Sequence, residues 1–163
     1  MDRELLQSLY RYCLCLTRHS AAAEDLLQTA IEHWLKSAAK PVHAKAYLRT
    51  VIRNQFIDDC RRQNRIDFEP LDQHAPALLD ETSMEQIALQ HDLIEYLFLQ
   101  LNAAEREVLY LWAVEGFSAA EIASDLGQPR GTVLSRLHRI KIKSADIMQN
   151  EAVKAAGAGQ GSE

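Results

Sequence analysis

Two N-terminal capping signatures sixteen residues apart, Asn102-Ala-Ala-Glu105 and Ser118-Ala-Ala-Glu121, restrict the chain more than any other feature. In each, a short polar side chain can accept from the amide three residues on, while the glutamate turns back to the first amide. Each therefore fixes a helix start. The first helix runs on Val108, Leu109, Leu111 and Trp112, and Gly116 separates it from the second start. The second is short, with Ile122, Ala123 and Leu126, and closes at Gly127, a residue able to take the left-handed conformation of a C-terminal cap. Beyond Pro129 a third helix begins near Arg130 and places Val133, Leu137, Ile140, Ser144 and Ile147 on one stripe.

Between Arg130 and Lys143 stand Arg130, Arg136, Arg139, Lys141 and Lys143 with no acidic residue, so this helix can approach phosphates without repulsion. Helix, glycine turn and basic amphipathic helix is the helix-turn-helix pattern, whose last helix enters a DNA major groove. Arg136 and Arg139 are expected to turn outward, opposite the apolar stripe. The competing reading is a solvated basic face on an ordinary helical bundle.

The preceding chain reads as further helices. Leu5, Leu6, Leu9, Tyr10, Cys13, Leu14 and Leu16 form a broad apolar band. Ser20 is a candidate cap for a helix from Ala21 to about Ser37, with Leu26, Leu27, Ala30, Ile31 and Trp34 on its apolar side and Glu24, Asp25, Gln28 and Glu32 on another. Pro41 breaks the pattern over 37–44 into a loop. A long helix follows from Lys45 to about Arg65, carrying Leu48, Ile52, Phe56 and Cys60 inward and Arg49, Arg53, Asn54, Arg61 and Arg62 toward its edges and end. Residues 66–85, with Pro70, Pro76 and many acids, are expected to be a linker. Helical spacing resumes from Met84 to Gln100, and the Gly/Ala-rich end within 149–163 is expected to be disordered.

Charge follows the same division. The net charge of −5 argues against a nucleic-acid partner only as a sum. Residues 1–65 hold eleven Lys/Arg against seven Asp/Glu, whereas residues 66–104 hold eight acids and no Lys or Arg. Basic surface is thus left on both flanking modules. The fold class expected is all-α: two small helical domains, 1–65 and 86–148, on an acidic linker.

No window approaches the ~20 apolar residues of a membrane span, and Met1-Asp-Arg-Glu-Leu-Leu lacks the order of a signal peptide. A cytoplasmic protein with reduced thiols is expected. Cys13, Cys15 and Cys60 form no C-x-x-C pair and are read as small buried hydrophobes; no metal or cofactor is expected. The six histidines are scattered, and there is no phosphate-binding glycine loop and no nucleophile with a matched base, so neither catalysis nor a small-molecule substrate is expected.

Four stretches together resemble the extracytoplasmic-function sigma factors, the small promoter-recognition subunits of bacterial RNA polymerase. Ala23-Glu-Asp-Leu-Leu-Gln-Thr-Ala-Ile-Glu-His-Trp34 looks like the region 2 helix that docks on the polymerase clamp, and Tyr47-Leu-Arg-Thr-Val-Ile-Arg-Asn-Gln-Phe-Ile-Asp-Asp-Cys-Arg-Arg62 like the promoter-melting helix. Glu115-Gly-Phe-Ser-Ala-Ala-Glu-Ile-Ala-Ser-Asp-Leu-Gly127 and Gly131-Thr-Val-Leu-Ser-Arg-Leu-His-Arg139 look like region 4. The resemblance implies polymerase contacts at Glu24, Asp25, Leu27, Gln28 and Trp34. It implies contacts to the −10 element at Lys40, His43, Arg53, Asn54, Arg61 and Arg62, and to the −35 element at Arg130, Thr132, Ser135, Arg136, Arg139 and Lys143. Core RNA polymerase, promoter DNA and an anti-sigma protein are the partners it implies. Leu134 departs from the pattern, standing where the family generally has lysine.

A helix-turn-helix regulator whose N-terminal part dimerises or binds a ligand explains residues 102–147 equally well. It gives no reason for the basic end of the 45–65 helix or for Glu24-Asp-Leu-Leu-Gln28.

Overall fold

A computed structural model of the chain describes residues 1–38, 41–63 and 91–158. Among the described residues there are seven helices and no strand: α1 (Arg3–Thr17), α2 (Ser20–Lys36), α3 (Ala44–Arg62), α4 (His91–Gln100), α5 (Ala103–Ala113), α6 (Ala119–Leu126) and α7 (Arg130–Ala158). They fall into two compact units. The first holds α1, α2, α3 and the stretch Asn102–Tyr110; the second holds α4, α6, α7 and α5 from Leu111 onward.

In the first unit, the Asp2 carboxylate accepts from the Leu5 amide at 2.8 Å and so caps α1. Arg18, in the left-handed conformation at φ 61°, ends that helix with its amide on the Leu14 carbonyl at 2.9 Å. Leu9, Cys13 and Leu16 of α1, Ala23, Leu26 and Ala30 of α2, and Leu48, Ile52 and Phe56 of α3 recur every three or four residues, so each helix presents one apolar stripe. The three helices pack pairwise along these stripes. The Trp34 and Tyr47 rings, 5.7 Å apart, extend the contact of α2 with α3.

Ser20 is the first residue of α2 rather than its cap. The cap position is His19, whose side chain makes no capping bond. The left-handed Arg18 leaves so little chain between the helices that Thr17 Oγ1, donating to the His19 carbonyl at 3.1 Å, serves the junction instead.

In the second unit, the Ser118 capping box forms as the sequence predicts. The Glu121 amide donates to Ser118 Oγ at 3.2 Å, and the Ser118 amide to Glu121 Oε2 at 2.8 Å. Gly127, at φ 61°, ends α6, and the Gln128 amide donates to the Ala123 carbonyl at 2.9 Å. A side chain would be strained there. Val133, Leu137, Ile140, Ser144 and Ile147 are all buried, and α7 packs on α6 and α4 through this face.

Two boundaries differ from the sequence expectation. The α7 helix continues to Ala158, where disorder is expected from 149; alanine and the Lys154 to Glu151 ion pair at 3.2 Å favour the helix there, and a late glycine costs little. Asn102–Tyr110 clusters with α1–α3, although the sequence assigns it to the C-terminal domain. The expected linker 66–85 and the start of the 84–100 helix lie outside the described residues.

Candidate functional site

On α2, Glu24, Asp25 and Gln28 are exposed, while Leu27 and Trp34 are half-buried. Gln28 Nε2 donates to Glu32 Oε1 at 3.2 Å, one turn on, which steadies this polar face. Asp25 also lines a cleft of about 280 Å³ together with His19, Gln55, Asp59, Leu26 and Phe56. Acidic groups over an apolar lining suit a long basic side chain, whose stem and head need both.

On α3, Asn54, Arg61 and Arg62 are exposed, as is His43 just before the helix. Arg61 makes only a loose surface pair with Asp58 at 3.6 Å. Lys40 lies outside the described residues. Arg49 is buried, not at the helix edge as the sequence suggests.

Arg53 is differently placed from Asn54. Its Nε donates to Glu107 Oε2 at 3.0 Å, with Glu107 1% exposed, and Tyr12 Oη donates to Glu107 Oε1. Both carboxylate oxygens are thereby engaged. Burial and then the adjoining carboxylate push the Tyr12 phenol well above its usual range, so it stays a donor. Next to this group, Arg106 donates through Nε to the Cys15 carbonyl at 2.7 Å and through Nη2 to the Leu16 carbonyl at 2.8 Å. Those are last-turn carbonyls of α1, which lack helical partners. Tyr110 Oη donates to the Ser8 carbonyl at 3.1 Å, and its ring lies 5.5 Å from that of Tyr12.

The sequence reading overlooked this cluster, although a signal was present. Glu105-Arg106-Glu107 puts three consecutive charges on a helix otherwise rich in apolar residues. Successive residues are spread around the axis, so three charges in a row cannot all lie on one solvent face.

On α7, Arg130 is exposed and Thr132 half-exposed, at the start of the helix. Arg136 departs from expectation: it is only 5% exposed and donates to the Gln128 side-chain carbonyl. It stands three residues after Val133 and four before Ile140, hence beside the apolar stripe and not opposite it. Ser135 is likewise buried, with Arg139 Nη2 3.5 Å from its hydroxyl. Arg139 remains half-exposed. Lys143 donates to the Gln100 carbonyl at 3.1 Å and so caps the end of α4.

Residues 1–66 match the Sigma-70 region 2 family and residues 91–143 match Sigma-70, region 4. The chain is 37% identical over 138 residues to the ECF RNA polymerase sigma factor SigL of Mycobacterium tuberculosis, a match covering 80% of this chain and 76% of that protein. It is 29% identical over 162 residues to the ECF sigma factor SigE of Mycolicibacterium smegmatis, covering 94% of this chain and 62% of that one. In fold it is similar to the sigma factor RpoE from Bartonella quintana, solved in complex with the anti-sigma factor NepR, with TM-score 0.61 and 23% identity over 90% of this chain and 92% of that one. With both family regions in order along the chain and a relative of this identity and coverage, the protein belongs to the ECF RNA polymerase sigma factors.

Proposed function

We propose that the chain acts in the cytoplasm, binds core RNA polymerase through α2, and directs promoter-specific initiation without catalysis of its own. Glu24, Asp25 and Gln28 make the polar part of the polymerase contact, with Leu27 and Trp34 shaping its apolar part. The cleft beside Asp25 receives a basic side chain of the core enzyme. Opposite charges across such a contact set orientation and association rate more than final affinity.

Asn54 captures an unpaired base of the −10 element, because its amide both donates and accepts. Lys40, His43, Arg61 and Arg62 hold the adjoining strand, and Arg53 joins them when it leaves Glu107. On the −35 element, Arg130 and Thr132 reach bases from the start of α7 while Arg139 reaches the backbone. Ser135 and Arg136 position this helix, and Lys143 contacts a phosphate only by giving up the Gln100 carbonyl. By likeness to the RpoE structure, an anti-sigma protein is a further partner.

The observation that carries this reading is that one chain holds an exposed acidic face on α2 and, on its other unit, an exposed Arg130 and a half-exposed Thr132 at the start of α7. Run-off transcription by purified core enzyme on a randomised promoter library tests it. Transcripts that depend on the chain, from templates enriched in two spaced elements, are expected. Asp25→Arg should abolish them in a folded protein. No chain-dependent transcript would reject the reading.

A further inference from the structure

The turn between α6 and α7 carries one polar residue that is held at both its backbone and its side chain. The Gln128 backbone amide donates to the Ala123 carbonyl at 2.9 Å, just behind the left-handed Gly127, so the end of α6 fixes it. Its side-chain carbonyl accepts from Arg136 Nη1, and Arg136, in the second turn of α7, is only 5% exposed. A guanidinium can only donate, so the carbonyl oxygen is necessarily the atom facing it and the amide nitrogen is left on the other side. Gln128 is half-exposed, and among the described residues no group accepts from its Nε2. Two residues on, the exposed Arg130 opens α7, so both side chains stand at the start of the same helix.

We propose that Gln128 is a phosphate contact of the −35 DNA, with Arg136 as the positioning residue that holds its amide so that both N–H donors face the backbone at the start of α7. The proposal rests on the reading of α7 given above.

The geometry favours a phosphate over a base. Glutamine pairs with adenine by donating and accepting together, and here the accepting atom is committed to Arg136. What remains is a pair of neutral donors, which suits a phosphate oxygen and sets register without reading sequence. The amide also fits its place better than a carboxylate would. Glutamate would bond the buried guanidinium more strongly but would meet the phosphate with a like charge, whereas an amide serves a cation inside and an anion outside. A long side chain ordinarily loses rotamer freedom on binding, and this one is ordered before DNA arrives.

The test uses holoenzyme assembled from the full chain and core polymerase, bound to a promoter recovered by run-off selection. Single phosphates around the upstream element are replaced one at a time by neutral methylphosphonate. In the parent, one replacement beside the start of the element should lower affinity by about tenfold. Gln128→Glu keeps an acceptor for Arg136 and should melt as the parent does, yet bind all single-base variants more weakly by about tenfold, with their ranking unchanged. At the phosphate found in the parent, methylphosphonate should strengthen binding by Gln128→Glu, because it removes the repelling charge. Gln128→Met should be indifferent to that replacement. Arg136→Lys should lose most of the effect at that phosphate and keep the effects at others, whereas a merely structural Arg136 would weaken binding to every duplex and leave the effect intact. A folded Gln128→Glu that answers every methylphosphonate as the parent does overturns the contact alone. A parent holoenzyme whose binding ignores the upstream element overturns the reading of α7 and the contact with it.

Discussion

Replacing Arg106 by methionine removes the positive charge while keeping a long apolar stem of comparable reach. In the parent protein its guanidinium, in a residue only 4% exposed, satisfies the Cys15 and Leu16 carbonyls at 2.7 and 2.8 Å. Hydrogen bonds from a charged donor contribute about 1.5–3 kcal/mol each, and a cation at a helix C-terminus up to about 2 kcal/mol more. Burying the guanidinium costs several kcal/mol in the parent, and the variant is spared that cost. The variant instead leaves two carbonyls without a donor. Weighing these, the expected loss is about 2–4 kcal/mol. With a urea dependence of about 2 kcal/mol/M, the midpoint of the first unit should fall by about 1–2 M. Urea titration followed by tyrosine fluorescence measures it, since Tyr12 and Tyr110 both lie in this contact. A midpoint unchanged within about 0.3 M would mean that water caps α1 in solution and that the segment is not seated there.

Arg136→Ala should lower the stability of the helix-turn-helix unit by about 1–3 kcal/mol in thermal unfolding, because it truncates a buried side chain bonded to Gln128; Arg130→Ala, at an exposed position, should leave the melting temperature unchanged and weaken −35 binding. Ser118→Ala should cost about 1 kcal/mol through loss of the α6 cap. The same box makes stability depend on pH: the Ser118 amide and then its hydroxyl hold the Glu121 carboxyl below its ordinary value. Its contribution is therefore complete above the unfolded-state value and is lost as pH falls through the lowered one, so an acid titration of Ser118→Ala should show a shallower decline than the parent.

The helices were legible wherever periodicity and caps spoke together. Both capping boxes, the Gly127 stop and the α7 stripe stand where the residues require them, because each depends on groups within one or two turns. The misplaced residues are those whose surroundings come from elsewhere in the chain. Arg53 is a plausible edge residue on its own helix, and Glu107, 54 positions away, draws it inward. Arg136 carries a charge that suggests solvent, yet its register beside Val133 and Ile140 decides otherwise, and Gln128 makes that burial tolerable. The tail was misjudged from composition alone: glycine lowers helix propensity, but alanines on either side of Gly157 offset it at the end of an already nucleated helix.

Leu134 offers the sharpest test of how α7 meets DNA. It is half-exposed two residues beyond Thr132, about 100° round the helix from Val133 and so on the flank of the apolar stripe, at the position where the family resemblance leads one to expect lysine. A lysine there can run its apolar stem along the helix and carry its ammonium outward, so Leu134→Lys should not disturb the buried face. If that side of α7 faces the duplex, the new charge gains one phosphate. Binding to −35 DNA should then strengthen at low salt, and the slope of log affinity against log salt should steepen by about 0.9. Because a phosphate contact reads no sequence, the ranking of single-base variants should stay as in the parent. Arg130→Ala should do the opposite, changing the ranking at one or two bases if it bonds guanine from the helix start. Fluorescence anisotropy over a salt series measures both. A Leu134→Lys protein of parental stability whose salt slope is unchanged would place this side of α7 away from the DNA and require another face of α7 to be the reading one.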